Sequence, residues 1–363
     1  MNGPVLVAAG GTGGHLFPAE SLSAALRKRG VEIALATDMR AEKFGDHFPN
    51  VHVIPSATFR GRDPISLTRT FGMLGFGAIR AFAMLARVKP AVVVGFGGYP
   101  TVPPVFAAAL RGIPTIIHEQ NGVMGRANKF LAPRVTAIAT GFPGVFASDT
   151  ALAAKATHTG NPVRPAVIAA AKPYAAASGN DPFRVLVFGG SQGARVMADI
   201  VPDAIAKLEP HLQMRLKVVQ QARAEDTERV RAIYAKAQVE AQIEPFFSDL
   251  PSKMADAHLV ISRSGASTVA ELAAIGRPSI LVPLPHALDQ DQAANAGFLQ
   301  RAGGAIPIAQ ASFTPDRVAA ELAALAADPA RLSKMAQGAK SLAILDAAEK
   351  LAELVMRVAN PAA

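Results

Sequence analysis

A histidine stands at the end of a run of glycines. VLVAAGGTGGHLFPA (residues 5–19) leads an apolar stretch into Gly10, Gly11, Gly13 and Gly14 and sets His15 where a helix should begin. Glycine lets a backbone turn sharply and lets another group approach with no Cβ in the way. At a helix start the free N–H groups and the positive end of the dipole suit an anion. That dipole disfavours imidazolium, so a histidine in the first turn stays neutral and able to accept a proton. The pattern offers a phosphate cradle with a candidate general base, His15, at its rim. One such loop alone is as readily a tight strand-to-helix turn with a packing histidine.

The same grammar recurs. In FRVLVFGGSQGARVM (183–197) an apolar run again feeds glycines, and aligning the loops sets Gly10, Gly11, Thr12 and Gly14 against Gly189, Gly190, Ser191 and Gly193. A third cluster, Gly95-Phe96-Gly97-Gly98, follows Ala91–Val94. Repetition favours a phosphate-bearing ligand over a bare turn. Two standard signatures fail. The dinucleotide fingerprint needs glycine where Leu16 stands, and the P-loop needs Gly-Lys-Ser/Thr where the second loop runs Gly193-Ala194-Arg195. Neither a dehydrogenase nor an ATPase follows, although Asp38 at a strand end keeps NAD binding as a weak alternative.

Three further clusters carry polar chemistry. His118-Glu119-Gln120-Asn121, with Gly125, Asn128 and Lys129 behind it, closes a strand at the end where doubly wound folds hold ligands. In Ser262–Glu271, hydroxyls and amides gather at another helix start and suit a diphosphate. Glu271 lies a turn inside, where a carboxylate chelates a ribose diol or simply covers a helix surface. Pro283–Asn295 (PLPHALDQDQAAN) gathers Asp289, Gln290, Asp291, Gln292 and Asn295 in one loop. No Asp-x-Asp motif stands at a strand end to hold a metal beside a diphosphate, so metal-independent chemistry with no cofactor is expected.

The elements that position these groups alternate. Strands are expected at Val5–Ala9, Glu32–Ala36, Ala91–Val94, Thr115–His118, Thr136–Ala139, Val185–Phe188, Leu216–Val219, Leu259–Ser262 and Ser279–Val282, most of them apolar on both faces, as buried parallel strands are. Helical stretches separate most of them, which argues for βαβ units. Thr157–Phe183 breaks the rhythm with Asn161-Pro162, Arg164-Pro165 and Lys172-Pro173 and reads as a linker. The fold class is α/β, two Rossmann-like domains facing across a cleft. The expected boundaries are 1–163, 164–340 and a C-terminal helical segment, 341–363, returning to the first domain.

Composition limits the partners. With 363 residues, half of them apolar, two cores are within reach. The absence of cysteine excludes disulfides, thiolate metal sites and cysteine nucleophiles. A formal charge of +9 suits anionic partners, but with no tryptophan and three tyrosines a base-stacking platform is poorly supplied. Nucleic acid is therefore not expected; an anionic lipid surface or a diphosphate is. The opening run is too short for a signal segment, and no stretch reaches about 18 uncharged apolar residues. Leu67–Val88 reads as a helix, broken near Gly72–Gly77. Leu67, Phe71, Leu74, Ala78, Phe82 and Leu85 should face the core, while Arg69, Arg80 and Arg87 mix with Met73, Phe76 and Ile79 on the opposite side. Arginine among exposed apolar side chains suits a helix lying on anionic lipid.

GGTGGHLFPA, GFGGYPTVPP, HEQNGVMGRANK, GNPVR, GGSQGAR, RSGASTVAELAAIGRP and the DQDQAANA loop, in this order, resemble the MurG family, peptidoglycan glycosyltransferases that add N-acetylglucosamine to lipid I to make lipid II. The resemblance spans nearly the whole chain. It implies a glycosyltransferase-B fold and an inverting hexosyltransferase on the cytoplasmic face of the bacterial inner membrane. Its substrates would be UDP-N-acetylglucosamine (UDP-GlcNAc) and undecaprenyl-pyrophosphoryl-MurNAc-pentapeptide (lipid I), with other cell-wall synthesis proteins as further partners. By motif, donor contacts fall on Thr12, Gly13, Gly14, Asn121, Arg164, Ser191, Phe247, Ala266, Ser267, Thr268, Val269, Ala270, Glu271 and Gln292. His15 and Glu119 fall at the catalytic centre and Asn128 on the acceptor side. A membrane patch falls on Met73, Phe76, Ile79, Arg80, Leu110 and Arg134. The loop is acid-rich beside the sugar-reading position, so Asp291 and Gln292 both stand as readers of the sugar. Related sugar-nucleotide enzymes are the rival readings: a UDP-N-acetylglucosamine 2-epimerase, or a glycolipid transferase with another acceptor. A non-catalytic sugar-nucleotide sensor is a third.

Overall fold

The computed structural model describes residues 1, 3–10, 13–39, 48, 50–57, 64–190, 193–285 and 290–360. Its strands are β1 (Val5–Ala8), β2 (Ile33–Thr37), β3 (Val51–Val53), β4 (Val92–Gly95), β5 (Thr115–Glu119), β6 (Ala137–Thr140), β7 (Ala156–His158), β8 (Phe183–Phe188), β9 (Leu216–Gln221), β10 (Glu240–Glu244), β11 (Leu259–Ser262), β12 (Ser279–Leu281) and β13 (Ala305–Pro307). They form two sheets, ordered β3-β2-β1-β4-β5-β6-β7 and β10-β9-β8-β11-β12-β13. Every strand pairing is parallel. The sequence requires this: the central strands β1, β4, β5, β6 and β11 are buried at every residue, so helices must cover both faces. In the first sheet Val5 and Val7 face one layer, with Leu22, Leu26, Leu351 and Val355. Leu6 and Ala8 face the other, with Ala81, Leu85, Val105 and Ala108.

In each sheet the strand order runs outward one way and then reverses, between β1 and β4 and between β8 and β11. Crossovers diverge at such a point and leave an opening at the C-terminal ends of the strands. The glycine loops after β1, β4 and β8, and the Ser262–Glu271 segment after β11, all lie at these reversals.

The chain divides into two compact units, one of Met1–Arg164 with Leu345–Ala363, the other Pro165–Ile344. The segment read as a linker contains part of β7 and the helix Pro165–Ala170. The last helical pattern is two helices, Pro329–Lys340 and Ala347–Ala359, and the second buries Leu351, Ala352, Leu354 and Val355 in the core of the first unit.

Pro64–Val88 is one continuous helix with no break at its glycines. Gly77 lies against the Pro55 carbonyl, where a Cβ would come within 2.1 Å, while Gly72 and Gly75 face open space. Its inner stripe is Thr70, Gly77, Ala81, Met84 and Leu85; the side chains of Leu67 and Phe71 lie outside the described set. Phe82, expected inside, is 45% exposed. Close backbone packing at Gly77 draws the Gly77–Ala81 side inward and turns Phe82 out. Thr68–Val88 is long and apolar enough, by length and composition, to cross a membrane. One face nonetheless belongs to the sheet core through Ala81, Met84 and Leu85.

Candidate functional site

In the first unit the helix Gly13–Arg27 starts directly after the first glycine loop and carries His15 in its first turn. The ring lies over the loop after β4. A Cβ on Gly98 would stand 3.4 Å from His15 Nε2, and one on Gly97 3.5 Å from His15 Cε1. Both glycines have positive φ, 82° at Gly97 and 74° at Gly98. The backbone conformation is what calls for glycine there, and the ring packs against both glycines at van der Waals distance.

The segment after β5 supplies the other wall. Glu119 is 2% exposed. Its Oε1 accepts from Asn121 N at 2.9 Å and Asn121 Nδ2 at 3.3 Å, and its Oε2 from Gly125 N at 3.0 Å and Asn128 Nδ2 at 2.8 Å. Burial pushes its pKa up, and these four donors pull it back. Both oxygens are occupied, so the arrangement gives Glu119 the work of shaping the 119–128 loop and orienting Asn121 and Asn128. Gln120 Nε2 donates to the Phe96 carbonyl at 2.9 Å and lies 3.4 Å from His15 Nδ1. Asn161 Nδ2 donates to the Gln120 carbonyl at 2.8 Å. Arg164 stacks over Phe17 at 4.6 Å. His15, Glu119, Asn121, Asn128 and Arg164 thus gather at the C-terminal ends of the first unit's central strands. Thr12 lies outside the described residues. Gln120 and His118 were legible only as members of a polar run; their roles need the fold.

In the second unit Gly190 and Gly193 take positive φ, 91° and 67°, after β8, and the Gly189 amide donates to Gln221 Oε1 at 3.1 Å. Ser191 lies outside the described residues. The helix Ala266–Ile275 follows β11, with Gly265 as N-cap supplying no side-chain acceptor for its first amides. Ala266, Val269 and Glu271 are buried and Ser267, Thr268 and Ala270 half-buried, with Glu271 7% exposed. Ser264 Oγ donates to the Gln292 carbonyl at 2.8 Å and Asn295 Nδ2 to the Ser264 carbonyl at 3.2 Å, tying the Gln290–Asn295 segment to this helix start. Gln292 Oε1 accepts from Leu284 N at 3.0 Å, whereas Asp291 opens the helix Asp291–Arg301. Arg263 spans to the Val282 and Pro283 carbonyls at 3.0 and 3.1 Å and bolts the loop after β12 in place. Phe247 is buried behind β10 with Lys253 Nζ 5.0 Å from its ring. Among the described residues no three acids or histidines cluster as a metal site.

A separate surface lies on the first unit. Phe76, Ile79 and Leu110 are 52%, 70% and 66% exposed, and Met73, Phe82 and Phe130 are exposed with them. Arg80 is exposed on the same helix. Arg111 stacks on Phe82 at 4.4 Å and Arg134 on Phe130 at 4.7 Å. Such stacking holds cations among apolar side chains. Phe82, Phe130 and Arg111 extend the patch read from sequence.

Residues 5–140 match the N-terminal domain of glycosyltransferase family 28 and residues 184–351 its C-terminal domain. The UDP-N-acetylglucosamine--N-acetylmuramyl-(pentapeptide) pyrophosphoryl-undecaprenol N-acetylglucosamine transferase of Rhodopseudomonas palustris (strain BisB18) is 61% identical, over 98% of this chain and 96% of its own. The like-named protein of Nitrobacter hamburgensis is 58% identical, over 98% and 97%. The crystal structure of Acinetobacter baumannii MurG aligns with a TM-score of 0.80 at 29% identity, covering 98% of this chain and 99% of that one. A Neisseria meningitidis UDP-GlcNAc 2-epimerase, with a TM-score of 0.68 at 11% identity over 98% and 100%, shares the fold alone. Two parallel sheets with glycine loops at both reversals, and identity sustained from end to end, place the chain in one family: it belongs to the MurG transferases of glycosyltransferase family 28.

Proposed function

We propose that the chain is an inverting transferase that moves N-acetylglucosamine from UDP-GlcNAc to the 4-hydroxyl of lipid-linked N-acetylmuramyl-pentapeptide, turning lipid I into lipid II. The observation that carries this is the 61% identity to a transferase of that printed name over 98% of the chain. In the reaction the 4-hydroxyl oxygen bonds to the anomeric carbon. The bond from that carbon to the phosphate oxygen breaks, UDP leaves with the electron pair, and the hydroxyl proton is released. The α-linked donor becomes a β-1,4 product.

The second unit's cluster would hold the sugar nucleotide. The amides of Ala266, Ser267 and Thr268, with the Gly190–Gly193 loop, meet the diphosphate; Glu271 meets the ribose hydroxyls; Phe247 lies by the uracil, and Gln292 or Asp291 reads the sugar. Fixed amides at a helix start stabilise charge that grows on a leaving diphosphate without reorganising. On the first unit Gly13, Gly14, Asn121 and Arg164 would complete the donor contacts, Asn128 would serve the acceptor, and His15 would stand at the reacting groups. Glu119 orients this set. The patch of Met73, Phe76, Ile79, Arg80, Leu110 and Arg134 would rest on the anionic inner leaflet and bring the enzyme to its lipid-linked acceptor.

Radiolabelled UDP-GlcNAc with a short-chain lipid I analogue tests the reaction. The labelled disaccharide-lipid should form and need no added metal, and His15→Ala should slow it by about 10²-fold or more. Conversion of UDP-GlcNAc to its 2-epimer, with no disaccharide, would replace this reading with the epimerase one.

A further inference from the structure

In a neutral imidazole one nitrogen carries the hydrogen and the other accepts, and the partner of either fixes the other. At His15 Nδ1 such a partner is Gln120. The Gln120 amide nitrogen lies 2.9 Å from the Phe96 carbonyl oxygen and 3.4 Å from His15 Nδ1. A carbonyl oxygen only accepts, so this end of the amide must be the NH₂; turned over, it would set two oxygens face to face. One amide hydrogen goes to Phe96 and the other points at Nδ1, which accepts it. Gln120 has little freedom to do otherwise. It is 5% exposed, and its backbone is anchored where Asn161 Nδ2 donates to the Gln120 main-chain carbonyl at 2.8 Å. An accepting Nδ1 leaves the hydrogen on Nε2, the nitrogen that lies over Gly98. Charging the ring would turn a new Nδ1–H against the amide N–H.

We propose that Gln120 is a positioning residue that holds His15 as the Nε2-protonated neutral tautomer, so that His15 meets substrate as an N–H donor to an oxygen and not as the base that takes the hydroxyl proton. This rests on the transferase reading above for the presence of substrate, and it alters the role first read for His15 from its place in the helix. A base at Nε2 needs a bare lone pair there, and the Gln120 amide selects the opposite form.

Nitrogen-15 NMR on full-length protein labelled at histidine reads the tautomer without any turnover, with the His15 signals identified by their loss in His15→Gln. Nδ1 should give the bare-nitrogen signal and Nε2 the protonated one, and in Gln120→Leu the two should move toward each other as the tautomers mix. In the disaccharide assay His15→Gln, whose amide N–H reaches the Nε2 position, should stay within about tenfold of the parent, whereas His15→Asn, which reaches only the Nδ1 position, should fall with His15→Ala by about 10²-fold or more. A bare Nε2 in the parent protein, or His15→Gln as inactive as His15→Ala, overturns the proposal. A parent protein that makes no disaccharide removes the transferase reading instead, and the NMR still decides the tautomer.

Discussion

His118 shows what burial does to a single group beside the site. Its Nε2 lies 3.1 Å from the Gly160 carbonyl, which can only accept, so Nε2 carries the hydrogen; Nδ1 is buried with no partner. Burial pushes the pKa from its ordinary 6.5 down to about 4, against the Gly160 bond. The native ring stays neutral where the unfolded ring takes a proton. As pH drops from 6.5 toward 4 the unfolded chain binds more protons, and stability is lost across that window, by about 3 kcal/mol in full. Melting temperatures measured across this range should fall less steeply for His118→Gln than for the parent; equal slopes would show that His118 does not titrate this way. Nothing in HEQN foretold these roles. The four residue types were legible as polar chemistry, but which one is pinned, which is neutral and which holds another depends on Gly160, Asn161 and Phe96, which the fold brings to them.

At the scale of elements, the Pro64–Val88 helix is asked to pack and to face outward at once. Its inner stripe is fixed by Ala81, Met84 and Leu85 in the core, so Phe76 and Ile79 contribute little to folding and their exposure needs another cause. Phe76→Asp with Ile79→Asp should leave the melting temperature nearly unchanged and abolish binding to vesicles containing anionic lipid. Arg80→Glu with Arg134→Glu should weaken that binding most at low salt, because charge attraction to a lipid surface is screened. Unchanged vesicle binding by the Asp pair would end the docking proposal. The elements read correctly and incorrectly have a physical pattern. The central strands were legible because burial on both faces writes an unbroken apolar run. The four strands that went unread, β3, β7, β10 and β13, are the sheet edges. β10 alternates exposed and covered residues, and β3 and β7 contain no fully buried residue. Half-exposed edges need no apolar run, so sequence hides them. Phe82 was misplaced for a related reason: a wheel cannot foresee that Gly77 lets the backbone close on Pro55.

Over the whole molecule, chain order and unit membership disagree. The first unit is built from residues 1–164 and then closed by 345–363, after the entire second unit has been synthesised. What the late segment contributes is core: Leu351, Ala352, Leu354 and Val355 lie at 0–4% exposure in the layer of Leu22 and Leu26. A ribosome-bound chain lacking residues 345–363 therefore has one finished core and one open face, and the second unit is the part able to fold first. The Arg29 ion pair with Glu349 at 2.8 Å is half-exposed and adds little; the apolar face does the joining. Leu351→Ala should then cost about 2–5 kcal/mol, all of it in the first unit. Limited proteolysis reads this directly. Cleavage should spread through residues 1–164 while a fragment spanning about 165–344 survives, because its core of Val185, Val187, Leu216 and Ile261 contains nothing from the C-terminal helix. Loss of both fragments at the same rate would mean that the two units unfold as one, and the C-terminal helix would then be a clasp for the whole chain and not the last piece of a single core.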